Sequence, residues 1–137
     1  MITKGVVETK KVAQELAKKS KGRIFALKGD LGAGKTTFVQ AFLKALGVKG
    51  RVLSPTFVIM RSYQLKDGRR VHHLDAYRIK KDKELVDLGF KDLIKDKNNI
   101  ILIEWADRIK KLLPTETIWL EFEHGKSSKE RVIKIKK

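Results

Sequence analysis

The segment Gly29-Asp30-Leu31-Gly32-Ala33-Gly34-Lys35-Thr36 has the spacing G-x-x-x-x-G-K-[ST], and it restricts the fold more than any other feature of the chain. An apolar run, Ile24-Phe25-Ala26-Leu27, precedes it and reads as a buried strand. Lys35 to Leu46 follows with apolar residues at helical spacing (Phe38, Ala41, Phe42, Ala45, Leu46) and stops at Gly47. Strand, glycine turn and helix make one α/β unit. In that unit the glycines let successive backbone N–H groups turn inward around phosphate oxygens without a Cβ in the way. The helix N-terminus adds partial positive charge behind them. Asp30, Leu31, Gly32, Ala33 and Gly34 then line a phosphate cradle, Lys35 bridges the β- and γ-phosphates, and the Thr36 hydroxyl is placed to ligate Mg²⁺.

Such a loop needs an acidic group for the metal or for orienting water, and two strand ends offer one. Ile100-Ile101-Leu102-Ile103-Glu104 is an unbroken apolar run that stops at an acid, which predicts a central strand with Glu104 at its carboxyl end. His72-His73-Leu74-Asp75 ends a more polar strand, and Asp75 is the second candidate, holding water or the γ-phosphate region; the alternative for it is a salt bridge to Arg78. Catalytic roles therefore fall on Lys35, Asp75 and Glu104, and the metal-side ligands are Thr36 and Glu104. Trp105 packs near the nucleotide or covers the sheet edge. His72 and His73 are adjacent, so in a strand they point to opposite faces and share no metal; a structural role is expected of both. Ser54-Pro55-Thr56-Phe57 is a polar turn whose Thr56 can sense the γ-phosphate as a switch segment does.

Elsewhere, Glu8 to Ser20 predicts a helix capped by Thr9. Phe57 to Tyr63 and Arg70 to Leu74 predict strands joined around Asp67-Gly68. Short helices are expected over Asp82 to Leu88 and Asp92 to Lys97, either side of Gly89-Phe90. Ala106 to Leu113 turns helical until Pro114. Thr117 to Phe122 and Arg131 to Ile135 alternate apolar and polar residues, which fits an edge hairpin across His124-Gly125.

With 137 residues and 42% hydrophobic content, one compact domain with a real core is expected. Cys 0 removes disulfide scaffolds and thiol chemistry and suits a reducing compartment. No apolar stretch is long enough for a membrane span or a signal peptide, so a soluble cytoplasmic protein is expected. Lys+Arg 32 against Asp+Glu 16 gives a net charge of +16. Two readings of that charge stand: a lysine-rich solvated surface, or attraction to a polyanion such as nucleic acid or an acidic protein. The basic tail from Lys126 has no interleaved aromatics, which argues against base recognition by it.

The phosphate loop extended to Thr37-Phe38, Ser54-Pro55-Thr56-Phe57, His73-Leu74-Asp75-Ala76-Tyr77-Arg78 and Ile103-Glu104-Trp105 occur in an order that resembles the TsaE (YjeE) family of bacterial ATPases. The resemblance implies a three-layer α/β P-loop NTPase fold, with a central parallel sheet and flanking antiparallel strands, in a single domain over 1–137. It implies an ATP- and Mg²⁺-dependent ATPase of low activity alone. Its work would be with the TsaD and TsaB proteins as threonylcarbamoyl is placed on the adenosine beside the tRNA anticodon. Thr37 then lies against the phosphates, Trp105 is the family's tryptophan, Asp75 its required aspartate, and the regions around Thr9 and Lys129 near the base. Ala76 and Ala106 stand where the family often has leucine and proline. Outside the resemblance, a small-molecule P-loop kinase and a basic RNA-binding module remain as alternatives, the first short of material for a lid and acceptor pocket.

Overall fold

The computed structural model describes residues 2–19, 22–29, 34–49, 60–126 and 130–136. Strands β1 (Ile2–Lys4), β2 (Ile24–Gly29), β3 (Met60–Gln64), β4 (Arg70–Asp75), β5 (Asn99–Glu104), β6 (Ile118–His124) and β7 (Glu130–Lys136) form one seven-stranded sheet in the order β1-β7-β6-β2-β5-β4-β3. The four inner strands β6, β2, β5 and β4 are mutually parallel. Antiparallel β3 flanks them on one side, and antiparallel β7 with β1 on the other. The expected parallel centre with antiparallel margins is therefore present.

Helices α1 (Val6–Lys19) and α2 (Lys35–Ala45) cover one face. Helices α3 (Asp82–Asp87) and α4 (Phe90–Lys95) and a 3₁₀ segment (Ala106–Leu112) cover the other. Strand alternation explains the two layers of core. Phe25, Leu27, Val71, Ile100 and Leu102 pack with Phe38, Val39 and Phe42 of α2. Ile24, Ala26, Leu74, Ile101 and Ile103 point the opposite way, toward Leu85, Phe90 and Ile109. Within the first layer Phe25 meets Phe42 edge-on at 4.9 Å, and Phe38 meets Phe122 at 5.4 Å. Each fully buried phenylalanine contributes roughly 2–3 kcal/mol by transfer.

Some boundaries differ from expectation, each for a local reason. Helix α1 begins at Val6, because Gly5 at φ 115 turns the chain straight out of β1. Thr9 consequently lies inside the first turns, its hydroxyl donating to the Gly5 carbonyl at 3.2 Å, and is not the cap. Helix α4 starts at Phe90 rather than Asp92, since Gly89 in the left-handed region caps it and Phe90 is buried. The β6–β7 hairpin is not the sheet edge: β6 pairs with β2, and β1 lies outside β7. The segment after β5 is 3₁₀ with a break at Ile109 (φ −124). The expected strand residues 57–59 lie outside the described residues, as do the segments 30–33 and 54–57 and Lys129.

Polar closures fix the ends. The Arg23 guanidinium donates to the carbonyls of Ile94, Asp96 and Asn99, satisfying oxygens left over where α4 runs into β5. Glu121 on β6 accepts from Lys136 on β7 at 2.9 Å and pairs with Lys28 on β2 at 3.2 Å. Those two ammonium groups hold its carboxyl below the usual range. In the β3–β4 turn, Arg69 donates its backbone N–H and its Nε to the Asp67 carboxylate, lowering the Asp67 pKa. Arg69 is thus a partly compensated member of the basic surface. Among the described residues no helix is long and apolar enough to cross a membrane.

Candidate functional site

The site grows from the end of β2. Gly29 has φ 140, and a Cβ there would land on the carbonyl of Phe122 on β6, with the carbonyl carbon 2.9 Å away. Only glycine lets β2 and β6 stay paired up to the point where the loop departs. The chain returns at Gly34, whose left-handed φ of 95 starts α2. Gly34 brings no capping side chain and the first turn holds no acid, so among the described residues no side chain caps this positively polarised end. Lys35 follows, 5% exposed, with Nζ donating to the Gly29 carbonyl at 2.8 Å. Thr36 is exposed and Thr37 half-buried beside it.

Opposite stand the acids. Glu104 continues the Ile100–Leu102 face of β5, and Asp75 continues the Val71 face of β4, so both lie on the α2 side. They are register partners on adjacent parallel strands, and Glu104 is in turn the partner of Leu27 on β2. Asp75 Oδ1 accepts the Tyr77 N–H at 2.9 Å, and among the described residues it forms no ion pair with Arg78. Burial pushes the Asp75 carboxyl above the ordinary aspartate range. The nearby Glu104 charge adds to that shift, while the Tyr77 N–H, His73 and Lys35 oppose it.

Trp105 is the one described non-glycine residue at positive φ (57). That conformation costs about 1–2 kcal/mol. It lays the indole against Lys35, whose Nζ lies 4.0 Å from the ring centroid. Tyr77 packs at 5.0 Å on the same indole, and the Arg108 guanidinium lies 5.2 Å from the Tyr77 centroid. Beside this group opens a cavity of about 640 Å³ lined by Lys28, Gly29, Trp105, Glu121, Phe122 and His124. Ala76 and Ala106, the two departures from the resembled pattern, are fully buried in the second core layer.

The structure therefore brings Lys35, Asp75, Glu104 and Trp105 together, with Gly34, Thr36 and Thr37 at the same helix end. Thr9 is buried on α1, its hydroxyl turned to its own helix. Asp30, Leu31, Gly32 and Ala33 lie outside the described residues. The two histidines do face apart: His72 bonds to Ser62 and Asn99, whereas His73 Nε2 donates to Glu104 Oε2 at 2.7 Å. Sequence reading missed the second contact. Its only trace is that His73 and Asp75 share strand parity.

The donor set suits a magnesium–nucleotide pair. The Thr36 hydroxyl and the Asp75 and Glu104 carboxylates are hard oxygen donors, and the buried Lys35 ammonium and the N-terminus of α2 supply positive charge, which is the chemistry Mg²⁺ and phosphate need. The raised Asp75 pKa also has a consequence for stability. Because its folded value exceeds the unfolded one, this group's stabilising contribution is complete below the unfolded value and is lost as pH rises through the folded value. Urea unfolding from pH 3 upward should show wild type losing stability relative to Asp75→Asn as pH rises. A difference growing in the other direction would contradict the assignment.

Fold and site together define a P-loop NTPase-like α/β protein. The model for "Threonylcarbamoyl adenosine biosynthesis protein TsaE" matches residues 3–133. The chain belongs to the TsaE family. Similar proteins include the tRNA threonylcarbamoyladenosine biosynthesis protein TsaE of Rickettsia felis, 40% identical over 118 residues, covering 85% of this chain and 67% of the relative. That of Rickettsia typhi is 38% identical over 132 residues, covering 95% and 89%. The crystal structure of YdiB from Bacillus subtilis superimposes with a TM-score of 0.78 at 32% identity, covering 97% of this chain and 80% of YdiB.

Proposed function

We propose that this chain binds and hydrolyses ATP with Mg²⁺ as the accessory subunit for threonylcarbamoylation of the adenosine beside the tRNA anticodon. It works with TsaD and TsaB in the cytoplasm, as a single P-loop domain over 1–137, and tRNA is the substrate of the whole complex. The observation that carries this reading is the meeting of Lys35 with two register-paired carboxylates, Asp75 and Glu104, at the carboxyl ends of parallel strands. The names of the relatives, which place them in tRNA threonylcarbamoyladenosine biosynthesis, supply the pathway.

In this reading Lys35 balances the β- and γ-phosphate charge, helped by the N–H groups of the first turn of α2. Thr36 and Glu104 would hold Mg²⁺, which would supply charge neutralisation at the terminal phosphates. Asp75, whose burial makes it more basic than an ordinary aspartate, accepts a proton-side hydrogen bond from the attacking water and so orients it. Trp105 closes the Lys35 side and keeps bulk water from that ammonium. The cavity beside Gly29 has the volume of a small-molecule pocket and is the space for the nucleoside; Thr9, buried with its hydroxyl bonded within α1, does not line it. The basic surface serves docking to TsaD–TsaB or tRNA.

The test is steady-state ATP turnover by the purified chain, alone and with TsaD and TsaB. Low turnover that rises when the two proteins are added supports the proposal. Turnover that is unaffected by them, with phosphate passed instead to a small acceptor, would replace it with a kinase.

A further inference from the structure

The roles just assigned leave His73 unused, although it touches Glu104. Its side chain is 3% exposed, beneath a carboxylate that is itself 12% exposed. A carboxylate only accepts hydrogen bonds, so at 2.7 Å the His73 Nε2 carries the proton and donates to Glu104 Oε2. The other ring nitrogen, Nδ1, is buried and has no partner among the described residues. The neighbouring histidine is a useful contrast. His72 is bracketed by the Ser62 hydroxyl at 2.7 Å and Asn99 Oδ1 at 3.0 Å, and Asn99 is anchored in turn on the Leu93 carbonyl. That ring is fastened on both sides and ties three strands together. Among the described residues His73 bonds only to Glu104. A buried ring with one nitrogen unsatisfied is a poor device for stability, and its single bond ends on the carboxylate assigned to the metal.

We propose that His73 is a positioning residue that pins Glu104 through Oε2, leaving Oε1 as the oxygen presented to the divalent cation. The inference rests on the reading above, in which Glu104 holds Mg²⁺. Glutamate has three rotatable side-chain bonds, and ordering them is a cost that metal binding would otherwise bear. Asp75, in register beside Glu104 and of the same charge, adds a repulsion that a fixed rotamer resists. Outer-shell hydrogen bonds of this kind typically change metal affinity 10- to 100-fold.

The experiment is calorimetric titration of ADP at a series of Mg²⁺ concentrations, including none, on wild type, His73→Leu and His73→Gln. The Gln amide N–H reaches the place of Nε2, and Leu offers no donor. His73→Leu is expected to raise the Mg²⁺ concentration for half-maximal binding about 10-fold, with metal-free ADP affinity unchanged. His73→Gln should return within about threefold of wild type. In a Glu104→Ala background, His73→Leu should add no further loss. If Leu prevents folding, as circular dichroism would show, His73→Asn takes its place, being polar but too short to reach Glu104. The inference is overturned if the loss of donor leaves the Mg²⁺ dependence at the wild-type value, if Gln fails to rescue, or if the loss persists without Glu104. Wild type lacking any Mg²⁺-dependent ADP binding overturns the functional reading as well, so the two failures are told apart.

Discussion

Gly29→Ala is expected to destabilise the folded chain by about 3–5 kcal/mol, in the range that single substitutions seldom reach. Two effects combine. The φ of 140 belongs to the region L side chains rarely adopt, and the new Cβ would collide with the Phe122 carbonyl, a backbone group that cannot rotate aside. Relief requires β2 and β6 to separate at the Gly29–Phe122 register, at the very end of β2. Gly68→Ala is the matched control: φ is again positive, at 91, but nothing lies within 4 Å of the added carbon. It should cost only about 1 kcal/mol. Urea denaturation of the two variants beside wild type reads the difference, and equal costs would show that the β2–β6 approach is looser than described.

Lys35→Ala is the second large effect, on binding rather than on the fold. A charge-assisted hydrogen bond to phosphate contributes about 1.5–3 kcal/mol, so MgADP affinity should fall roughly 10- to 100-fold. Anisotropy of a fluorescent ADP analogue measures it. Fold stability should change little, because the lost bond to Gly29 and the lost contact with Trp105 are offset by no longer burying an ammonium. Two neighbours should register the change. Trp105 loses the cation from its face, altering its emission, and the Asp75 carboxyl loses a cation that opposes its upward shift, so it holds its proton more tightly still. Unchanged nucleotide affinity would remove Lys35 from the phosphate site.

Much of this arrangement could be read from the chain itself, and the parts that could not share a cause. Strand β2, helix α2 with Gly29 and Gly34 between them, and the buried β5 were legible because their signals are local: an apolar run, a glycine spacing, a helical period. Glu104 was legible for the same reason, as the acid that ends the run. The edge strand β1 was not, since Ile2–Lys4 is three residues long and carries no period; only its pairing with Val132, Arg131 and Glu130 makes it a strand. Without β1, the β6–β7 hairpin looks like an edge. Phe90 reads as a linker residue until the second core layer claims it. At the site, the backbone turn at Trp105 and the bond from His73 to Glu104 depend on residues brought together by the sheet. His73 lies 31 residues before Glu104, and no spacing rule links them. Parity alone placed His73 and Asp75 on one face, which fixes direction but not partner.

The central claim is that Lys35, Thr36 and Glu104 form a site for a nucleotide with magnesium. Calorimetric titration of the wild-type chain with ATP, once with millimolar Mg²⁺ and once with a chelator, tests it most directly. Saturable binding of one nucleotide per chain, markedly tighter with the metal, is expected. Binding that is absent in both titrations, or equally tight in both, would contradict it.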